Sequence, residues 1–129
     1  MKKKIHVVAS VIENKDKILI ARRNYGEFEG LWEFPGGKYE LGERGEDALV
    51  REIQEEFDAQ IVIKDFLCTI EHAYDSFYLI MDCFICTLKT DELHLHDHSA
   101  IRWIDCKEEN IEWVPADKKV IEAYRKNHK

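Results

Sequence analysis

The chain has 129 residues, of which 45% are hydrophobic and 11% aromatic, and its formal net charge is −7. This length fits one domain with its own core, and the composition excludes a disordered chain. The negative charge disfavours bulk nucleic acid as a partner, and no apolar run approaches the roughly 20 residues that span a bilayer. We therefore expect residues 1–129 to form a single cytoplasmic domain with no membrane partner.

The first predicted elements are two strands joined by a turn. Residues 5–12 are apolar and β-branched, residues 13–16 have turn composition, and residues 17–21 form a second apolar run. A polar loop over residues 24–30 follows. The short apolar stretch 31–34 comes next, and we expect Pro35-Gly36-Gly37 to break it.

The second half of the chain predicts a central helix, more strands and a closing helix. Residues 46–57 contain no Gly or Pro and are rich in helix formers. Strands are predicted over 60–70, 76–88 and 100–104, with a turn at 72–75. Pro115 begins a last helix that continues over 117–127. This order predicts an α/β (α+β) fold in which helices cover a sheet.

The central helix carries three carboxylates on one face. Glu52, Glu55 and Glu56 have i, i+3, i+4 spacing, and an apolar stripe lies beside them. Crowded carboxylates repel one another unless a cation lies between them, and magnesium prefers oxygen ligands. From the helix alone, a solvated acidic face is the simpler interpretation.

The flanking residues extend this pattern to a long motif of fixed spacing. Residues 37–43 read Gly-Lys-Tyr-Glu-Leu-Gly-Glu, and after seven residues the chain continues Arg-Glu-Ile-Gln-Glu-Glu-Phe-Asp-Ala over 51–59. This resembles the box of the Nudix family: Gly, five residues, Glu, seven residues, Arg-Glu, then a Glu-Glu pair. Asp58 and Ala59 depart from the family's glycine and larger aliphatic residue. Asp58 would end the helix in the left-handed conformation, which Asp tolerates better than most residues.

Two further segments resemble the MutT-like branch, which hydrolyses nucleoside triphosphates. They are Leu-Trp-Glu-Phe-Pro-Gly-Gly-Lys over residues 31–38 and Pro-Ala-Asp over residues 115–117. The resemblance implies an α/β/α sandwich with a mixed central sheet. It also implies hydrolysis of a nucleoside triphosphate to a nucleoside monophosphate and pyrophosphate, with Mg²⁺ as cofactor and Mn²⁺ as a substitute. The partner would be a small nucleotide, and the protein a monomer or a homodimer.

The resemblance also assigns the metal and catalytic residues. It implies that the Gly36 carbonyl, Glu52, Glu55 and Glu56 hold the metal, and that Arg51 pairs with Glu43. Glu52 or a residue outside the box would take the proton from water. Asp97 is the best outside candidate, although it is shorter than the glutamate that the family often has there.

The substrate-binding residues implied by the same resemblance are Arg23, Glu33, Phe34, Pro35, Gly36, Gly37 and Asp117. Simpler interpretations stand beside three of them. Arg23 fits an exposed strand-end arginine, Phe34 a buried strand residue, and Asp117 a carboxylate favoured by the helix dipole. Asp117 is compatible with cytosine and with guanine-type bases, so 8-oxo-dGTP, CTP, dCTP and 5-methyl-dCTP are the candidate substrates.

Two other patterns resemble metal sites. Cys83 and Cys86 have zinc-like spacing, but residues three apart in a strand point to opposite faces, so we expect reduced core cysteines. His94, His96 and His98 alternate and would share a face of a strand. A solvated or core-edge face explains them better than zinc, because no fourth ligand is apparent.

Alternative functions remain open at this point. One is a Nudix hydrolase of another nucleoside diphosphate derivative, such as a nucleotide sugar or dinucleotide, although 129 residues leave little room for additional recognition elements. Another is a non-catalytic Nudix-like module that binds a nucleotide. Such proteins usually lose box glutamates, and this chain keeps four, at positions 43, 52, 55 and 56.

Overall fold

The computed structural model describes residues 2–128, which form seven strands and two helices. In chain order the elements are β1 (Lys3–Asn14), β2 (Lys17–Arg23), β3 (Trp32–Glu33), β4 (Gly36–Lys38), α1 (Gly45–Phe57), β5 (Ile61–Ala73), β6 (Phe77–Leu88), β7 (His98–Asp105) and α2 (Pro115–Asn127). No helix within residues 2–128 is long and apolar enough to cross a membrane.

The seven strands form one mixed sheet that divides at β1 and β2. β1 pairs in parallel with β6, and β6 pairs antiparallel with β5. β1 and β2 pair only beside their connecting turn, through Glu13 with Ile18 and Asn14 with Lys17. Farther along, β4 pairs with β1, whereas β3 and β7 pair with β2. The two halves of the sheet therefore separate, and a cavity opens between them.

Each face of the sheet has its own hydrophobic cluster and its own helix. α1 packs on a cluster that contains Val8, Ile12 and Leu19, and α2 packs on a cluster on the opposite face that includes Ala9, Val11 and Ile20. These are alternate residues of the same strands, as the two-residue period of a strand requires. The predicted α/β/α arrangement with a mixed sheet is therefore confirmed.

The period of a strand also separates the two cysteines of the zinc-like motif. Cys83 belongs to the cluster under α2, and Cys86 to the cluster under α1. Both are fully buried free thiols on opposite sides of β6. They act as small apolar residues in the core.

α1 follows the predicted helix almost to the residue. Leu49, Ile53 and Phe57 are fully buried and form the stripe that fixes the rotation of the helix about its axis. The helix ends at Asp58, whose φ of 52° and ψ of 36° are left-handed, as the motif predicts. The Asp58 N–H donates to the carbonyl of Gln54 at 3.0 Å.

Two predictions about local structure need correction. The apolar stretch 31–34 does end before Pro35, since β3 stops at Glu33, but Gly36 and Gly37 are not part of the break: they begin β4, where Gly37 pairs with Val8. This pairing needs glycine, because a Cβ at Gly36 would overlap the carbonyl of Val8. The three alternating histidines also do not share a strand, since β7 begins at His98 and the two preceding histidines lie before it.

The left-handed helix end generates a stability prediction. Asp58→Gly should relieve backbone strain of about 1 kcal/mol, since glycine adopts this conformation without penalty. The Asp58 carboxylate also lies 3.0 Å from a ring nitrogen of His96, and exposed pairs contribute up to about 1 kcal/mol. The substitution should therefore be made in a His96→Ala background, with urea unfolding as the measurement.

In that background we expect the free energy of unfolding to rise for Asp58→Gly and to fall for Asp58→Ala. Alanine is the matched control because it removes the carboxylate but keeps the Cβ that causes the strain. Lower stability of the glycine variant than of its parent would refute the strain argument.

Candidate active site

A cavity of about 420 Å³ lies where the two halves of the sheet separate. It is bounded by the middle of β1, by β4, by the end of β2 and by the start of α2. One end is acidic and the other is aromatic. The polar residues that line it are Arg23, Tyr25, Glu33, Lys38, Glu52, Glu56, Tyr74, Asp97, His98 and Asp117.

The acidic end brings together two glutamates of α1 and one aspartate from the segment before β7. Glu52 and Glu56 are one helical turn apart, and the Glu52 side chain is 12% exposed. Burial and the neighbouring Asp97 carboxylate raise the pKa of Glu56 to about 7, and burial raises the pKa of Glu52. These carboxylates are held against their mutual repulsion in a partly dry site.

The chemistry of these groups fits a divalent cation. Oε2 of Glu56 is buried and has no hydrogen-bond partner within residues 2–128. A Cβ at Gly37 would overlap the Glu52 carboxylate, so the glycine backbone lies directly against that side chain. No three His, Cys, Asp or Glu side chains of the described residues are close enough to hold a metal by themselves. A hard cation with oxygen ligands would supply the missing positive charge.

Two motif residues, Glu55 and Arg51, lie outside this cavity. The Glu55 side chain is 53% exposed and pairs with Arg51 at 3.0 Å. Arg51 also donates to both oxygens of Glu43, at 2.7 and 2.9 Å, and to the carbonyl of Lys38 at 2.9 Å. The hydrogen bonds from Arg51 lower the pKa of the Glu43 carboxyl. Arg51 thus ties α1 to β4 and to the loop between them, whereas metal binding by Glu55 stays a prediction.

At the other end of the cavity, Asp117 is buried and faces β3. It is 5% exposed, and its Oδ2 accepts the backbone N–H of Phe34 at 2.8 Å. Burial and the nearby Glu33 carboxylate raise the pKa of Asp117 well above its ordinary value. A protonated Asp117 would offer a donor as well as an acceptor to a ligand.

The aromatic wall beside Asp117 is built by Tyr74, Phe28 and Phe77. Tyr74 lies 5.1 Å from the ring centroid of Phe28 and 4.9 Å from that of Phe77, and its hydroxyl accepts the backbone N–H of Ala116 at 3.0 Å. Sequence reasoning missed these residues, because an aromatic at a strand end or in a loop has no motif of its own. The one available signal for the aromatic wall was the position of Phe77 at the start of a predicted strand.

Glu33 joins the two ends of the cavity. One carboxylate oxygen accepts a hydrogen bond from Arg23 at 3.0 Å. The other accepts a hydrogen bond from a ring nitrogen of His98 at 2.8 Å. Among the other predicted substrate residues, Phe34, Gly36 and Gly37 line the cavity. Pro35 is buried behind it.

The structural role of Pro35 is visible in its carbonyl. That carbonyl accepts both the backbone N–H and the hydroxyl of Ser10, at 2.8 and 2.7 Å. The bonds attach the start of β4 to the middle of β1. Pro35 therefore supports the cavity wall from outside the lining.

Known proteins are similar to this chain in sequence and in fold. The family profile of the NUDIX domain matches residues 2–124. The CTP pyrophosphohydrolase of Escherichia coli K12 is 33% identical, over 95% of this chain and 92% of the relative. The 8-oxo-dGTP diphosphatase of Proteus vulgaris is 38% identical, over 71% and 84%. The solution structure of a MutT protein from methicillin-resistant Staphylococcus aureus 252 has a TM-score of 0.75 and 36% identity, covering 98% of this chain and 99% of that one.

The family profile covers nearly the whole described chain, and the motif residues Gly37, Glu52 and Glu56 line one cavity with an acidic end. Members of this family use divalent metal ions to cleave phosphorus-containing anhydrides. The chain belongs to the Nudix family and is a Nudix pyrophosphohydrolase.

Proposed function

We propose that this protein, with Mg²⁺ as cofactor, hydrolyses a (deoxy)nucleoside triphosphate to a nucleoside monophosphate and pyrophosphate. The base of the substrate would be an oxidised base or cytosine. The observation that carries the proposal is the polarity of the cavity. Its acidic end suits a cation-bound triphosphate, and its aromatic end, with the buried Asp117, suits a nucleobase. The names of the relatives from Escherichia coli and Proteus vulgaris support CTP and 8-oxo-dGTP as the first substrates to test.

In this proposal, Glu52 and Glu56 hold the magnesium ion with the Gly36 carbonyl, and Asp97 assists them. When bound, the cation neutralises phosphate oxygens and lowers the pKa of water. Glu52 or Asp97 accepts the proton of the attacking water, whose oxygen forms a bond to phosphorus as the bridging P–O bond breaks. Pyrophosphate leaves with the electron pair of that bond. Arg23 lies between the two ends, where its planar fork suits a phosphate oxygen.

The alternative functions have less support from the geometry. The cavity of about 420 Å³ is sufficient for one nucleotide, which leaves a second nucleoside or a sugar less room. A binding module without activity has no use for unpaired buried carboxylates such as Glu56. A small nucleotide substrate therefore remains the proposed partner, without bulk nucleic acid.

The first prediction from this proposal is metal dependence. Pyrophosphate release from nucleoside triphosphates should stop when EDTA removes divalent cations, because the carboxylates would then repel the triphosphate. Activity should return with Mg²⁺ or Mn²⁺. Undiminished turnover after thorough chelation is the result that would exclude the proposed chemistry.

The second prediction concerns Glu56 and pH. Its pKa of about 7 exceeds the ordinary value of 4.5, so the metal-free folded state keeps a proton that the unfolded state loses. The stability of metal-free protein should therefore fall as pH rises from about 4.5 to 7. Glu56→Gln removes this penalty, and its melting temperature in EDTA should exceed that of the wild type more at pH 8 than at pH 5.

The same variant should lose activity by a factor of about 100 or more, since a metal ligand contributes several kcal/mol to such a reaction. Glu122→Gln, an exposed position on α2, is the matched control and should change neither property. An active Glu56→Gln enzyme, or one with a pH-independent stability difference, would show that Glu56 is not part of the charged site.

The third prediction concerns base selection by Asp117. Asp117→Ala removes the group that would meet the base, whichever protonation state the carboxyl has, together with the acceptor of the Phe34 N–H. Loss of one hydrogen bond to the base costs about 1–3 kcal/mol, which is about five- to a hundredfold in kcat/KM for the preferred base. Rates on disfavoured bases should change much less. The measurement is kcat/KM for 8-oxo-dGTP, dGTP, CTP and dCTP, and unchanged ratios would leave Asp117 a purely structural role.

A further inference from the structure

The segment that carries Asp97 has no regular secondary structure, yet it is attached to the end of α1. The backbone N–H of His94 donates to the carbonyl of Phe57 at 2.9 Å. A ring nitrogen of His96 lies 3.0 Å from the carboxylate of Asp58. The alternating histidines thus fasten this segment to the helix that carries the box glutamates.

His98 is the innermost of these attachments. Its side chain is 7% exposed, and its Nε2 lies 2.8 Å from a carboxylate oxygen of Glu33. An ionised carboxylate only accepts hydrogen bonds, so Nε2 of His98 is the donor. The imidazole also stacks on Phe57, with centroids 5.2 Å apart and planes 14° apart. The ring is therefore held by β3 on one side and by α1 on the other.

The unpaired polar atoms of His98 and its neighbours in the cavity indicate a role beyond packing. Four buried side-chain polar atoms within residues 2–128 lack a hydrogen-bond partner, and three of them belong to cavity residues: Arg23 Nε, Glu56 Oε2 and His98 Nδ1. Buried polar atoms in folded proteins nearly always have a hydrogen-bond partner. The convergence of unpaired atoms on one cavity marks groups arranged for a ligand.

The placement of Asp97 itself needs an external constraint. Asp97 is exposed, and its side chain is hydrogen-bonded to the Glu56 carboxyl, a contact that turns into repulsion when both groups are ionised. A carboxylate on an unrestrained loop would turn toward water to reduce this repulsion. The next residue in the chain is the buried, doubly held His98, which denies the backbone of Asp97 that freedom.

We propose that His98 is a positioning residue: held by Glu33 and Phe57, it keeps Asp97 next to Glu56 at the acidic end of the cavity. The inference rests on the proposed function, since it assumes that a divalent cation binds at this end. His98 acts through Asp97, so the effect of losing the imidazole should disappear when the Asp97 charge is already gone.

The test is a double-mutant cycle on divalent-cation binding. Mn²⁺ affinity of the nucleotide-free protein would be measured by titration calorimetry for wild type, His98→Ala, Asp97→Asn and the double variant. We expect each single variant to bind Mn²⁺ about 10- to 100-fold more weakly, which is usual for residues that orient metal ligands. The double variant should bind no more weakly than Asp97→Asn alone. If the loss of Mn²⁺ affinity in the double variant equals the product of the two single losses, the proposal is overturned, because His98 would then act independently of Asp97.

Two further substitutions keep the test valid if His98→Ala folds poorly. His98→Gln retains an N–H donor for Glu33, and His98→Phe retains a ring to stack on Phe57. We expect glutamine to recover most of the Mn²⁺ affinity and to restore kcat, while phenylalanine restores melting temperature without restoring either. Full recovery by phenylalanine would show that His98 serves only packing and would overturn the proposal.

His94→Ala is the matched control, because His94 belongs to the same segment but its side chain is 58% exposed. It should bind Mn²⁺ as the wild type does. In steady-state assays His98→Ala and His98→Phe should lose kcat while KM for the nucleotide changes little. If the wild type binds Mn²⁺ but cleaves no nucleoside triphosphate, the proposed substrate class fails while the binding cycle still decides the role of His98.

Discussion

Repulsion among carboxylates is the constraint around which this site is built. Like charges one helical turn apart cost a few tenths of a kcal/mol in water, and more where burial lowers the dielectric. Against this, burial of Leu49, Ile53 and Phe57 contributes about 1.5–3 kcal/mol per side chain. The apolar stripe therefore determines the rotation of α1, and Glu52 and Glu56 face the cavity because the stripe beside them cannot leave the core.

Outside the cavity, Arg51 reduces the repulsion among neighbouring carboxylates. It contacts Glu43, Glu55 and the Lys38 carbonyl at the same time, so one guanidinium neutralises carboxylates that would otherwise add to the repulsion. Arg51 also lies 3.5 Å from an oxygen of Glu52. The helix thus has charges that Arg51 compensates on its outer side, while Glu56 keeps a carboxylate oxygen with no hydrogen-bond partner among residues 2–128 where a cation would bind.

Much of this arrangement was predictable from local sequence, and the remainder depends on tertiary contacts. The helix and its stripe follow from spacing and residue type, and the Arg51–Glu43 pair and the left-handed Asp58 follow from the resemblance to the Nudix box. β4 could not be predicted, because Gly36 and Gly37 read as a break until β1 is present to pair with them. The role proposed for His98 was equally hidden. Its partners Glu33 and Phe57 are 65 and 41 residues away along the chain, and no periodicity connects them.

The charge of the cavity argues for catalysis over simple binding. Among the described lining residues, Arg23 and Lys38 are the permanent cations, while Glu33, Glu52, Glu56 and Asp97 supply carboxylates. A module selected only to retain a triphosphate would bind it more tightly if some of those carboxylates were neutral, since each one repels the ligand across a short distance. Carboxylates at this position are favourable only when a cation lies between them and the phosphates. That same cation is what the hydrolysis of a phosphoanhydride requires, so the feature that would weaken a sensor is the feature that equips an enzyme.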